Sequence, residues 1–211
     1  MSRIILDFGS GNTCKNDKNY VKKMLDELKA VDTGKHEIII KWQLFKKAGK
    51  NIPLSHEIFE YAYDYAKKLG YKTTSSVFDK ESVEFLLKFD IPFVKIANNR
   101  NLDWIMGEIK RKIPIVLSYG NVEELKVDRT YNTEKLLCVS EYPATVEAYE
   151  KTFNLGYYVK YYCGISDHTT NFDLFNKYKP SLIEFHYKLK DSTGLDAGEF
   201  ARTPERLKEI L

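Results

Sequence analysis

Short runs rich in β-forming residues alternate with longer stretches of helical periodicity from one end of the chain to the other, and this alternation restricts the possible folds more than any other feature. Parallel strands need a crossover between them, and helix-length crossovers repeated along a chain build a parallel sheet covered by helices. Eight β runs can be read, at 3–8, 37–43, 71–76, 93–97, 113–118, 135–139, 161–165 and 181–187. Between them, Tyr20, Val21, Met24, Leu25 and Leu28 recur at helical spacing over 20–30. Ile58, Tyr61, Ala62 and Tyr65 share a face over 55–69, with Ser55 as N-cap and Gly70 as the stop. Asp79 is placed to cap a helix over 80–88, another helix spans 102–110, and Thr203 with Pro204 opens a last one that runs to Leu211. A chain of 211 residues, 43% hydrophobic, has apolar surface for one core. Eight units in that length predict a compact α/β fold, a closed (β/α)8 TIM barrel forming a single domain over 1–211. The rival is a doubly wound open sheet, but the loop Gly9-Ser10-Gly11-Asn12 lacks the full G-x-G-x-x-G pattern. The stretch 188–198 is then the loop after the eighth strand.

Strands of a parallel barrel are buried on both faces, so a polar side chain at a strand's C-terminal end is the informative exception. Every run carries one: Asp7, Lys41 with Gln43, Ser76, Lys95 just ahead of Asn98, Ser118, Ser140, Ser166 with His168, and Glu184 with His186. Barrel active sites lie at this end, so these residues form a candidate site on position alone. Each has a plainer explanation as well. Lys41 can snorkel from Ile38-Ile39-Ile40 to the rim, serines are common where strands become loops, and a lone histidine there is usually a hydrogen-bonded structural residue. Taken together they say more. Two lysines in one mouth repel unless an anion such as a phosphate ester sits between them. His168 and His186, on neighbouring strands and flanked by Asp167 and Glu184, suit a divalent metal with open positions. His36 and His56, at a strand start and a helix start, are expected at the surface.

Composition excludes several partner classes. Thirty-three Lys and Arg against 30 Asp and Glu give a net charge of +3, too little to indicate nucleic acid or an anionic membrane surface. No apolar run approaches the roughly 20 residues of a spanning helix, and residues 1–9 read as a strand rather than a signal peptide. Cys14, Cys138 and Cys163 are odd in number and widely spaced, which predicts reduced thiols and a cytoplasmic setting.

Two stretches carry a family resemblance: Cys138-Val139-Ser140-Glu141-Tyr142-Pro143, then Gly164-Ile165-Ser166-Asp167-His168-Thr169. They resemble the paired C-T-S-E-Y-P and G-x-S-D-H-T signatures of the sialic acid synthases, which join phosphoenolpyruvate to an N-acylated amino sugar. Lys41-Trp42-Gln43, Ser75-Ser76-Val77-Phe78-Asp79, Val94-Lys95-Ile96-Ala97, Leu117-Ser118-Tyr119-Gly120 and Glu184-Phe185-His186-Tyr187 resemble further motifs of that family along nearly the whole chain. The resemblance implies that His168 and His186 are metal ligands, usually for Mn²⁺, with Mg²⁺ or Co²⁺ as substitutes. It implies that Lys41, Ser76, Lys95, Ser118, Ser140 and Ser166 hold phosphoenolpyruvate. Tyr142 and Asp196 fall where the family meets the sugar, and Asp7 stands where it has a glutamate near the sugar and metal-bound water. Asn98 replaces a serine of the phosphate pocket, Tyr119 replaces a small residue, and an Asn-His pair is missing from residues 9–12. The chain ends where the family's linker and C-terminal antifreeze-like domain begin, so a homodimer or a separate lid-supplying partner is expected to complete sugar recognition.

The implied reaction is a condensation giving a nonulosonic acid and phosphate, with Asp7, Lys41, Lys95, His168 and His186 as its catalytic set. Two other readings stay open. Lys95, desolvated in a barrel mouth, is a candidate Schiff-base lysine of an aldolase. A barrel of this size is also able to bind a sugar or phosphoenolpyruvate without turnover.

Overall fold

The computed structural model describes residues 1–47, 49–109, 113–127 and 133–211. Eight parallel strands close into a barrel in chain order: β1 (Arg3–Asp7), β2 (Glu37–Leu44), β3 (Lys72–Val77), β4 (Val94–Ile96), β5 (Ile115–Tyr119), β6 (Thr133–Cys138), β7 (Gly164–Asp167) and β8 (Leu182–His186). The ring is sealed by β1 pairing with β8, Asp7 standing opposite His186. Helices lie in the crossovers: α1 (Gly11–Cys14), α2 (Lys18–Lys29), α3 (His56–Lys68), α4 (Lys80–Leu86), α5 (Trp104–Ile109), α6 (Val122–Val127), α7 (Val146–Thr152), α8 (Leu155–Tyr161), α9 (Asp173–Tyr178) and α10 (Pro204–Leu207).

Local chemistry sets several of these starts. Asp17 accepts from Tyr20 N at 2.8 Å to open α2, Ser55 from Ile58 N at 3.3 Å to open α3, and Asp79 from Ser82 N at 2.9 Å to open α4. The structure differs from the sequence reading at several places, among them the last helix, which ends at Leu207 rather than Leu211. The seventh strand begins at Gly164 rather than 161, because Tyr161 closes α8 and its ring, like that of Tyr162, lies exposed. Aromatic residues suit strands, but here they decorate a helix end. The helix expected over 102–110 starts as a 3₁₀ turn, Arg100–Leu102, and resumes at Trp104; residue 110 lies outside the described residues. On α3 the fully buried face is Ile58, Phe59, Ala62 and Ala66, leaving Tyr61 and Tyr65 half-buried. His36, expected at the surface, is half-buried with Nδ1 accepting from Ser2 N at 3.1 Å, whereas His56 is exposed and stacks on Phe85.

The larger core lies between the sheet and the helices. A smaller one, Ile5, Ile39, Phe93, Val116, Leu136 and Leu182, plugs the barrel axis. Gly164 completes this layer, since a Cβ there would stand 2.1 Å from Leu182 O and 2.8 Å from Leu136 Cδ2. Side chains alternate along a strand, so the residue two positions beyond each plug residue also points at the axis. Those residues are Asp7, Lys41, Lys95, Ser118, Cys138 and Glu184, and the plug is the floor on which they stand.

Phe93→Ala removes the largest side chain of this floor and is expected to cost about 3–5 kcal/mol. Urea unfolding should show a lower midpoint with an unchanged slope.

Candidate active site

Every residue expected at the site from the sequence lines one cavity of about 610 Å³ at the C-terminal mouth of the barrel. Its base is a lattice of buried charges. Lys41 Nζ lies 2.6 Å from Asp7 Oδ2, 3.1 Å from Ser76 Oγ and 3.6 Å from Glu184 Oε1. Lys95 Nζ donates to Ser118 Oγ at 2.7 Å and to Ile96 O at 3.1 Å, and lies 3.9 Å from Glu184 Oε2. The two ammonium groups therefore do not face each other unscreened, as the sequence reading assumed in the absence of an external anion. The chain places the carboxylate of Glu184 between them.

The environments of the two lysines differ. Burial alone lowers the pKa of Lys41, but Asp7 and Glu184 override it and the net shift is upward. Burial also lowers the pKa of Lys95, and there Glu184 offsets it only in part, so the net shift is downward. Burial raises the pKa of Glu184, and Lys41 and Lys95 overcome this to keep it below its ordinary value. The floor thus sets opposite charges beside one another, one ammonium held more firmly than the other, with Glu184 Oε2 left without a hydrogen-bond partner.

A second cluster sits above it, toward β8. His186 Nδ1 lies 3.4 Å from Asp196 Oδ1 and 3.6 Å from Asp7 Oδ2, and this buried nitrogen makes no hydrogen bond. Gln43 Nε2 donates at 2.8 Å to both Asp7 Oδ2 and Asp196 Oδ1, and Gly9 N donates to Asp7 Oδ1 at 2.9 Å. Among the described residues, Asp7, His186 and Asp196 are the side chains whose ligand atoms gather within 4.8 Å of one another. One imidazole and two carboxylates form a donor set suited to a hard or borderline divalent ion. Burial lowers the pKa of His186, and Asp7 and Asp196 more than reverse it, giving a net rise.

The sequence had paired His168 with His186 as ligands. His168 stands beside the cluster rather than within it, its ring centroid 5.4 Å from that of His186. Its Nδ1 lies 2.7 Å from Val139 O, which makes Nδ1 the protonated nitrogen and leaves Nε2, 3.3 Å from Ser166 Oγ, as the lone-pair nitrogen. Burial first, then repulsion from His186, pushes the His168 pKa down to about 3. Tyr142, 55% exposed, covers His168 with ring centroids 4.3 Å apart, and Phe200 lies 4.9 Å from the His186 ring. Asn98 Nδ2 donates to Ser140 Oγ at 3.1 Å, and Ser166 Oγ donates to Glu184 Oε1 at 3.1 Å.

Lining residues absent from the expected set include Cys138 and Phe200. Cys138, like the expected Glu184, follows from counting two positions past the plug. Phe200 lies in the loop after β8, where no periodicity marks it.

The family model described as the NeuB family matches residues 16–211. The chain belongs to the NeuB family. Within it, the chain is 28% identical over 167 residues to a pseudaminic acid synthase of Helicobacter pylori, covering 72% of this chain and 48% of that protein. It is 27% identical over 210 residues to the pseudaminic acid synthase of Campylobacter jejuni serotype O:2, covering 86% and 59% respectively. This NeuB-family chain thus spans about half the length of those two relatives. Its fold resembles the crystal structure of an N-acetylneuraminic acid (sialic acid) synthetase from Leptospira borgpetersenii in complex with citrate, with a TM-score of 0.77 at 21% identity over 98% of this chain and 80% of the other.

In chelator-treated protein the two site histidines should separate on titration. Ring NMR signals are expected to give His168 a midpoint of about 3 and His186 one above the ordinary 6.5. The His168 shift also makes stability fall as pH drops below 6.5, since the unfolded chain takes up a proton that the folded one refuses. From this group alone the loss is roughly 1.4 kcal/mol per pH unit, readable by denaturation at a series of pH values.

Proposed function

We propose that this chain is the catalytic barrel, over 1–211, of a synthase that condenses phosphoenolpyruvate with an N-acylated amino sugar to give a nonulosonic acid and phosphate. The observation that carries this reading is the sharing of one cavity by two buried lysines and the Asp7–His186–Asp196 cluster. One half suits a small multiply charged anion, and the other suits a divalent cation and a carbonyl oxygen. A cavity of about 610 Å³ is of ordinary size for a ligand site.

In this reading, Lys41 and Lys95 bind the carboxylate and phosphate of phosphoenolpyruvate, with Ser76, Ser118, Ser140, Ser166 and Asn98 donating to its remaining oxygens. Tyr142 and Asp196 face the sugar. Asp7, His186 and Asp196 would hold Mn²⁺, or Mg²⁺ or Co²⁺ in its place, with His168 Nε2 available at the edge, and such an ion polarises a carbonyl as a Lewis acid. The enol carbon C3 of phosphoenolpyruvate bonds to the aldehyde carbon, leaving an alkoxide at the aldehyde oxygen and a cationic C2. Water adds at C2, Asp7 takes one of its protons and passes it to the alkoxide, and the C2–O bond to phosphate breaks as the new C2 hydroxyl becomes the keto oxygen, its proton leaving with the phosphate. The ammonium groups of Lys41 and Lys95 stabilise charge at the reacting end throughout. The apolar rim, with Tyr142 55% and Leu195 75% exposed, suits a cover from the second subunit of a homodimer or from a separate chain. Three buried free thiols agree with a reducing cytoplasm.

A Schiff-base aldolase is the second reading, favoured by the lowered pKa of Lys95. Borohydride trapping of a carbonyl substrate on Lys95 would select it.

Incubation with phosphoenolpyruvate, N-acetylmannosamine and Mn²⁺ is expected to release phosphate, and chelation is expected to stop it. Absence of metal-dependent release with any N-acylated hexosamine would reject the condensation. Lys41→Met should lower kcat/KM for phosphoenolpyruvate by roughly 10- to 100-fold, the worth of one hydrogen bond to a charged group.

A further inference from the structure

Arg202 is one of the largest fully buried side chains, 1% exposed, yet it does not line the cavity. Its backbone closes the neck of the segment 188–202. Arg202 N donates to His186 O at 2.7 Å, and Arg202 O accepts from Lys188 N at 3.0 Å. That segment carries Asp196 to its place 3.4 Å from His186 Nδ1. The guanidinium then reaches the loop that follows β7, where Nη1 donates to Thr169 O at 2.6 Å and Nη2 to Asn171 O at 2.5 Å. Nη1 also donates to Phe200 O. The rings of Phe172 and Phe185, centred 4.9 and 5.1 Å from its central carbon, exclude water, and the carboxylate of Asp167 lies 3.7 Å away.

We infer that Arg202 is a positioning residue whose guanidinium sets the separation of His168 from His186 and Asp196. It does so by tying the loop after β7 to the segment after β8. Only a planar, always-charged fork reaches three carbonyls of two loops at once; an ammonium group at the end of a lysine is a point donor and cannot span them. The Thr169 and Phe200 bonds are buried, so losing them leaves unsatisfied acceptors and the loops must shift to find water, whereas the half-buried Asn171 carbonyl also accepts from Thr169 Oγ1 at 3.2 Å. Residues that orient metal ligands from outside typically change affinity by about 10- to 100-fold when removed.

The inference rests on the cation reading proposed above for Asp7, His186 and Asp196. Its test compares wild type, Arg202→Lys and Arg202→Met by Mn²⁺ calorimetry, by histidine ring NMR in chelated protein and by denaturation midpoint. Arg202→Met is expected to bind Mn²⁺ about 10- to 100-fold more weakly, with Arg202→Lys in between. The ring signals of His168 and His186 should move in both variants. Phosphoenolpyruvate affinity should change by less than about threefold, because Lys41 and Lys95 stand on strands that Arg202 does not touch. If Arg202→Met does not fold, Arg202→Lys decides alone. Wild-type Mn²⁺ affinity and unmoved ring signals in a folded Arg202→Lys, with only a lower midpoint, would overturn the inference. A wild type that binds no Mn²⁺ counts against the proposed function instead, and the ring signals in chelated protein then decide the role of Arg202.

Discussion

Closure of the sheet is the constraint from which the site follows. Once β8 pairs with β1, an inward side chain has only the axis to occupy, and the two-residue strand period allots every second position to it. Six apolar residues fill one level of that axis. The next level must therefore collect whatever lies two positions on, and in this chain those positions hold two lysines, an aspartate and a glutamate. Residues far apart in the sequence meet because of that count, without help from any loop.

Such a level would be unfavourable if its charges were not matched, since removing ions from water costs several kcal/mol each before pairing offsets it. The matching here is internal. Asp7 and Glu184 between them contact both lysines, and Ser76 and Ser118 take further ammonium protons. In the proposed reaction an anion entering this level competes with carboxylates already in place, which favours a ligand that brings more charge or better geometry than a single carboxylate, as a phosphate ester does.

The barrel and its polar mouth were legible in the sequence because both are expressed locally, in the alternation of β runs with helices and in polar residues that end apolar runs. The start of β7 was not, since Tyr161 and Tyr162 look like strand residues and only packing shows them outside the sheet. Glu184 was seen as a neighbour of the histidines, whereas its place between Lys41 and Lys95 depends on register across strands that no local pattern encodes. The gathering of Asp196 with Asp7 and His186 rests on the course of a loop, and that path is set by a contact from Gln43, far away in sequence, and by Lys188 bonding to carbonyls within the loop itself.

That loop also divides the site by evolvability. The two lysines and their carboxylate partners are built into the ladder of the sheet, where an inserted or deleted residue would turn every following side chain to the other face. One carboxylate of the Asp7–His186–Asp196 cluster instead rides on the segment 188–202, which is anchored at its neck and by Lys188 to its own carbonyls. Length and composition there can drift while the barrel register stays intact. Remodelling this single excursion of the chain would therefore alter the upper cluster while leaving the charged floor of the barrel as it is.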